Sequence, residues 1–106
     1  MTDACTIFTT AGSETEAEDI AQALLSEKLA ACVQMTPIAS RYVWKGELVR
    51  EEEVLLLIKT RAELFEDVRS RVRALHSYET PEVLMVPVAA GDADYLAWLA
   101  ESTARR

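Results

Sequence analysis

A chain of 106 residues, half of them apolar and with only three Gly and three Pro, fits one domain spanning 1–106 around a single core and excludes a disordered chain. Its 11 basic and 18 acidic residues leave a net charge of −7, which disfavours phosphate backbones, so no nucleic-acid partner is expected, while cations near the surface are favoured. No apolar run reaches the roughly 18 residues of a membrane span, and "MTDACTIFTT" has no basic stretch ahead of an apolar core, so the expectation is a cytoplasmic protein with no membrane partner, in which Cys5 and Cys32 stay reduced and pack.

Residues 4–10, "ACTIFTT", are β-branched and aromatic and predict a strand. Ser13 and Glu16 have the spacing of a capping box, hydroxyl to one orphan amide and carboxylate back to the other. The helix they open is expected to run to about Ala31, because Ala17, Ile20, Ala21, Leu24, Leu25 and Leu29 recur at three- and four-residue steps. Residues 32–44 predict a long strand, bent or at a sheet edge where Pro37 withholds its donor. "KGE" at 45–47 is a turn with Gly46 as its permissive residue, and residues 48–60 return as the second arm of a hairpin.

Thr60 and Glu63 suggest a second capping box. The helix after it places Leu64, Phe65, Val68, Val72 and Leu75 on one stripe, and Arg61, Arg69, Arg71 and Arg73 off it on a solvated face. Residues 82–88 predict a fourth strand. Asp92 or Asp94 then caps a final helix containing Tyr95, Leu96, Trp98 and Leu99.

The order β-α-β-β-α-β, then α, is that of a ferredoxin-like α+β sandwich with an extra C-terminal helix. Two helices cover one face of such a sheet, and strands with a solvated second face alternate apolar and polar. "VLLLI" (54–58) and "VLMV" (83–86) do not alternate. They call for cover on both faces, and a second copy of the chain is the simplest cover, so a homo-oligomer packed through the sheet is expected.

The chain has no Gly-rich phosphate loop, no GxSxG, no HExxH and no CxxC, and one His with two distant Cys does not make a structural zinc site. The one histidine, His76, ends the second helix. There it either satisfies late carbonyls and the helix dipole or serves as a site residue. Glu79 and Glu82 read as solvated turn carboxylates or as a paired acid and base. "REEE" (50–53) reads as a charged strand edge that discourages aggregation. Tyr42, Trp44 and Tyr78 default to packing, and Lys59 to solvent.

Five stretches, "EKLAACV" (27–33), "YVWKGEL" (42–48), "EEVLLLIKT" (52–60), "HSYETPEVLMVPV" (76–88) and "GDADYLAWL" (91–99), together resemble the CutA family of divalent-cation tolerance proteins, in the family's order and over nearly the whole chain. The resemblance implies a homotrimer similar in architecture to the PII signalling proteins. It also implies a role in tolerance of copper and other divalent cations through binding, and a pocket near subunit junctions at Trp44, Lys59, His76, Tyr78 and Glu82. A divalent metal, copper first, is the implied cofactor, with His76, Glu79 and Glu82 as its ligands in this chain. Some family members carry a cysteine at the end of the first strand and a pair of histidines before the tyrosine motif. Thr9 and Leu75 stand at those positions here, and "HPYE" is replaced by "HSYE". One imidazole is a thin set for a metal that prefers nitrogen and sulfur donors.

The expectation is therefore a trimer that binds divalent cations without catalysing a reaction. The alternatives are a PII-like small-molecule sensor or interaction scaffold, and an enzyme using Glu79 or Glu82 as a base with His76.

Overall fold

A computed structural model describes residues 2–104. It runs β1 (Ala4–Ala11), α1 (Glu14–Ser26), β2 (Cys32–Trp44), β3 (Glu47–Arg61), a 3-10 turn at Ala62–Leu64, α2 (Phe65–Leu75), β4 (Leu84–Pro87) and α3 (Ala93–Ser102). The strands form one antiparallel sheet in the order β2-β3-β1-β4. Alternation puts Cys5 and Ile7 of β1 on the same side as Leu56 and Ile58 of β3. There they meet Ile20 and Leu24 of α1 and Val68 and Val72 of α2 in the core. Pro37 sits on β2, an edge strand, where its missing donor interrupts no ladder.

β1 pairs with β3 only from Val54 to Arg61, whereas β2 pairs with it from Glu47 to Lys59. Beyond the end of β1 the hairpin therefore continues as a two-stranded arm. Lys45 (φ 51°) and Gly46 (φ 81°) close it, two consecutive positive φ angles that match the strands' twist.

The second face of the sheet carries Phe8, Leu55 and Leu57, half-buried, with Leu84 and Val86 more than half exposed. α3 reaches only one end of this face. Its C-cap, Thr103, receives bonds from Arg61 Nε (2.9 Å, to Oγ1) and Nη2 (2.8 Å, to the carbonyl). The absence of alternation in "VLLLI" thus corresponds to apolar residues on both sides of β3. Among the described residues no helix is long and apolar enough to cross a membrane.

Several local expectations are corrected. α1 ends at Ser26, not Ala31. Lys28 turns left-handed (φ 59°), and the amides of Leu29 and Lys28 bond back to the carbonyls of Leu24 (2.8 Å) and Leu25 (3.2 Å), a Schellman closure. Ser13 caps α1 by accepting from the Glu16 amide (3.2 Å), but the Glu16 carboxylate accepts from Gly12 N and Ser77 N rather than from Ser13. Thr60 and Glu63 do not form a capping box. Thr60 still belongs to β3 and is fully buried, donating Oγ1 to the Leu29 carbonyl (2.7 Å), while Glu63 pairs with Arg61. Arg61 accordingly leaves the solvated face, whereas Arg69 and Arg71 stay half-exposed in ion pairs with Glu66 and Glu27. β4 is shorter than 82–88, because only Leu84–Pro87 have a partner in β1. Asp92, not Asp94, caps α3, accepting from Tyr95 N (3.1 Å).

Candidate functional site

The loop from His76 to Val83 folds over the second face of the sheet where β1 ends and the hairpin arm begins. Glu16 fixes its start. One carboxylate oxygen accepts from Ser77 N (2.8 Å) and the other from Gly12 N (3.3 Å), joining the β1–α1 turn to the α2–β4 loop. Burial works to raise the pKa of Glu16. The hydrogen bonds from Ser77 and Gly12, with a smaller Coulombic pull from His76, outweigh it and hold the carboxyl below its ordinary value of 4.5.

His76 is the second fixed point. Its side chain is fully buried. Nδ1 accepts from Tyr78 N (3.0 Å), so Nε2 carries the proton and donates to the Thr10 carbonyl (2.6 Å). Although His76 follows the last residue of α2, its ring serves β1 and its own loop and not the helix's late carbonyls. It also lies 4.6 Å from the Tyr78 ring, centroid to centroid. Gly12 lets that tyrosine pass close to the backbone, since a methyl group there would meet the Tyr78 hydroxyl at 3.2 Å.

Tyr78 then reaches the hairpin. Its hydroxyl lies 2.9 Å from Glu53 Oε2 and 3.1 Å from Glu51 Oε2, and Tyr42 donates to the other oxygen of Glu51 (2.9 Å). Burial, then Glu53 and Glu51, push the Tyr78 phenol well above its ordinary value. The bond to Glu51 does the same, more weakly, for Tyr42. Glu82 is raised by burial and by Glu53. These residues line a cleft of about 520 Å³, completed by Trp44 and Val49 on the arm and by Glu79 and Thr80 on the loop. A volume of that order suits a small organic molecule.

Of the residues expected at a site, Trp44, Tyr78, Glu79 and Glu82 therefore share one cleft. Lys59 does not join them in this chain. It lies on the second face between Thr6 and Cys32, eight residues along β3 from Glu51, which is about 26 Å of strand. His76 lies beneath the cleft. Glu51, Glu53, Tyr42 and Arg41, not expected there, also line it. "REEE" does lie on an open edge, because β1 pairs with β3 only from Val54 onward, and its alternate glutamates at 51 and 53 also face the cleft. Side-chain alternation along β3 puts both on one face, opposite Ser40 and Ile38 of β2, but three consecutive glutamates carry no sequence signal that singles out 51 and 53.

As a metal centre the arrangement does not fit the expected ligands. Neither nitrogen of His76 has a lone pair free, one accepting from Tyr78 and the other protonated toward Thr10. Thr9 and Leu75 do not supply replacements. Thr9 is fully buried on the helix-covered side, its Oγ1 without a hydrogen-bond partner among the described residues, and Leu75 packs on the core. Among the described residues no group of three or more His, Cys, Asp or Glu is set to hold a metal ion. Burial pushes the Cys5 thiol up to about 11, so it packs as an inert thiol.

Residues 5–102 match the family described as CutA1 divalent ion tolerance protein. The chain belongs to this family. The Divalent-cation tolerance protein CutA of Thermus thermophilus is 46% identical over 98 residues, covering 92% of this chain and 95% of that protein. The protein of the same name from Archaeoglobus fulgidus is 44% identical over 96 residues, covering 91% and 94%. Solved CutA structures agree. The one from Archaeoglobus fulgidus, described as a periplasmic divalent cation tolerance protein, superposes with a TM-score of 0.94 at 42% identity, over 95% of this chain and 99% of that one. The one from Thermus thermophilus gives 0.92 at 44% identity with the same coverage. The CutA match spans β1 to the end of α3, so the loop, the arm and the cleft all lie inside the shared fold.

Proposed function

We propose that this chain is the ferredoxin-like subunit of a cytoplasmic homotrimer that acts in divalent-cation tolerance by binding, without catalysis. Membership of a family named for tolerance, not for a reaction, supports the role. The apolar second face of the sheet supports the assembly, because Leu84 and Val86 lie exposed beside Phe8, Leu55 and Leu57. Copper as the cation rests on the resemblance. Within one chain the cleft offers carboxylate and hydroxyl oxygens, a donor set that suits harder divalent cations better than copper. Glu79 and Glu82 are the expected ligands that remain available at its rim.

Native mass spectrometry with stoichiometric copper, repeated with zinc, tests the reading. A trimer that saturates near one metal per subunit supports it. A trimer with only weak, unsaturating adducts removes the metal-binding role while leaving the assembly. A monomer removes the assembly.

A second reading, a PII-like small-molecule sensor or scaffold, is favoured by one observation. The cleft has aromatic walls and the volume of an organic ligand, and among the described residues its most buried carboxylate, Glu53, forms no ion pair.

A further inference from the structure

Glu53 is only 7% exposed, and no described residue forms an ion pair with it or with Glu51, Glu79 or Glu82. A carboxylate this buried is costly unless it is paired. Among the described residues its one hydrogen-bond donor is the Tyr78 hydroxyl, and that donor is shared. The phenol oxygen lies within 3.1 Å of both Glu51 Oε2 and Glu53 Oε2 but has a single proton. One contact is a hydrogen bond. The other sets a lone pair against a carboxylate oxygen unless another positive hydrogen enters.

The walls of the same cleft are suited to a cation. Tyr42, Trp44 and Tyr78 present ring surface there. The Trp44 ring already attracts an ammonium, with Lys45 Nζ 5.7 Å from its centroid. Among the described residues Arg41 is the one basic side chain lining the cleft, and its guanidinium donates to the neighbouring Ser40 carbonyl (2.9 Å), not to a glutamate. Four carboxylates therefore face aromatic walls with one arginine turned to its own backbone. A phosphate or carboxylate ligand would meet repulsion there, and an uncharged one would leave Glu53 unpaired.

We propose that the cleft between the hairpin arm and the His76–Val83 loop binds a small organic cation, a primary ammonium or guanidinium on an apolar or aromatic body, whose N–H groups bridge Glu51 and Glu53 while its body lies against Tyr42, Trp44 and Tyr78. Glu82 and Glu79 close the rim. The proposal rests on the reading of this chain as a small-molecule binder and gives the ligand its charge and class. A cation of this kind supplies the hydrogens that the shared phenol lacks and neutralises the buried carboxylate.

Isothermal titration of the assembled protein with phenethylammonium and with agmatine, against uncharged 2-phenylethanol and against ATP, tests it. Perturbation of the Trp44 indole N–H in NMR spectra locates the binding. Saturable binding of either cation near one per chain, with none for 2-phenylethanol, is the expected result. Glu53→Gln should weaken it about tenfold or more, since a charge-assisted bond is lost. Glu82→Gln, a change at the exposed rim that leaves the fold intact, should weaken it severalfold, so the proposal stays testable if Glu53→Gln fails to fold. Equal binding of 2-phenylethanol, or cation binding unchanged in Glu82→Gln and Glu53→Gln, overturns the proposal. So does the absence of cation binding because a basic side chain of a neighbouring copy already sits on the carboxylates. Binding of ATP or 2-phenylethanol without either cation overturns the cationic class but keeps the sensor reading. No binding of any probe overturns both.

Discussion

Glu16 shows how one side chain can hold a site it does not line. It ties the β1–α1 turn to the loop that carries His76 and Tyr78, through bonds from Gly12 and Ser77. Its carboxyl is held below its ordinary 4.5, so it contributes stability that is present above that value and lost as pH falls through the lower, folded-state one. Glu82 runs the other way. Its carboxyl is raised, so its contribution is fully present below 4.5 and lost as pH rises through the folded value. A Glu16→Gln variant separates the two. With one carbonyl oxygen it serves only one of the two amides, and its expected cost in urea unfolding at pH 7 is about 1–2 kcal/mol. The gap from wild type should narrow below pH 4.5, and a gap constant down to pH 3 would contradict this role. The sequence singles out Glu16 for capping and His76 as a site candidate, but their partners lie far along the chain, Ser77 61 residues from Glu16 and the Thr10 carbonyl 66 from His76. A residue's type shows what bonds it can make, and only the fold shows which ones it does make.

At the scale of elements, order and type are legible because each depends on short-range pattern: the 3.6 period in α1 and α2, the β-branched runs, the Lys-Gly turn. Boundaries are less so. Leu29 extends the apolar stripe of α1 and makes the helix read as longer than it is. In the structure its buried side chain belongs to the Schellman closure, two residues past a Glu27 cap. Thr60 has the spacing of a cap, yet the buried Leu29 carbonyl is where its hydroxyl finds a partner. Lys28 is the strained member of this closure, since a side chain at φ 59° crowds the following carbonyl. Glycine relieves that cost of about 1–2 kcal/mol but makes the unfolded chain looser by about half as much. Lys28→Gly should therefore raise stability by about 0.5–1 kcal/mol, read as a higher urea midpoint at unchanged slope. A lower midpoint would mean that the lysine side chain makes contacts worth more than the strain.

For the molecule as a whole, the non-alternating strands are the one sequence feature that reaches beyond a single chain, and the apolar second face is its physical counterpart. The cleft was less legible. It needs a loop near residue 78 to meet a hairpin arm near residues 42–53, and the glutamates at 51 and 53 look, in sequence, like part of a solvating charge run. The proposed trimer makes a sharp prediction about the second face. Leu84 and Val86 are 59% and 51% exposed in the isolated chain, so a Leu84→Lys, Val86→Lys double variant loses little core packing and should fold. Buried against another copy, the same two lysines would face apolar surface without partners, at a cost of several kcal/mol each. Sedimentation velocity should show the wild type at three times the chain mass and the double variant as a folded monomer, with circular dichroism confirming intact helices. A double variant that stays trimeric would place the interface elsewhere. A wild type that sediments as a monomer would leave the apolar face to some other partner. If the variant is monomeric and still binds phenethylammonium, the cleft is complete within one chain. If binding disappears with the trimer, a neighbouring copy supplies part of the site.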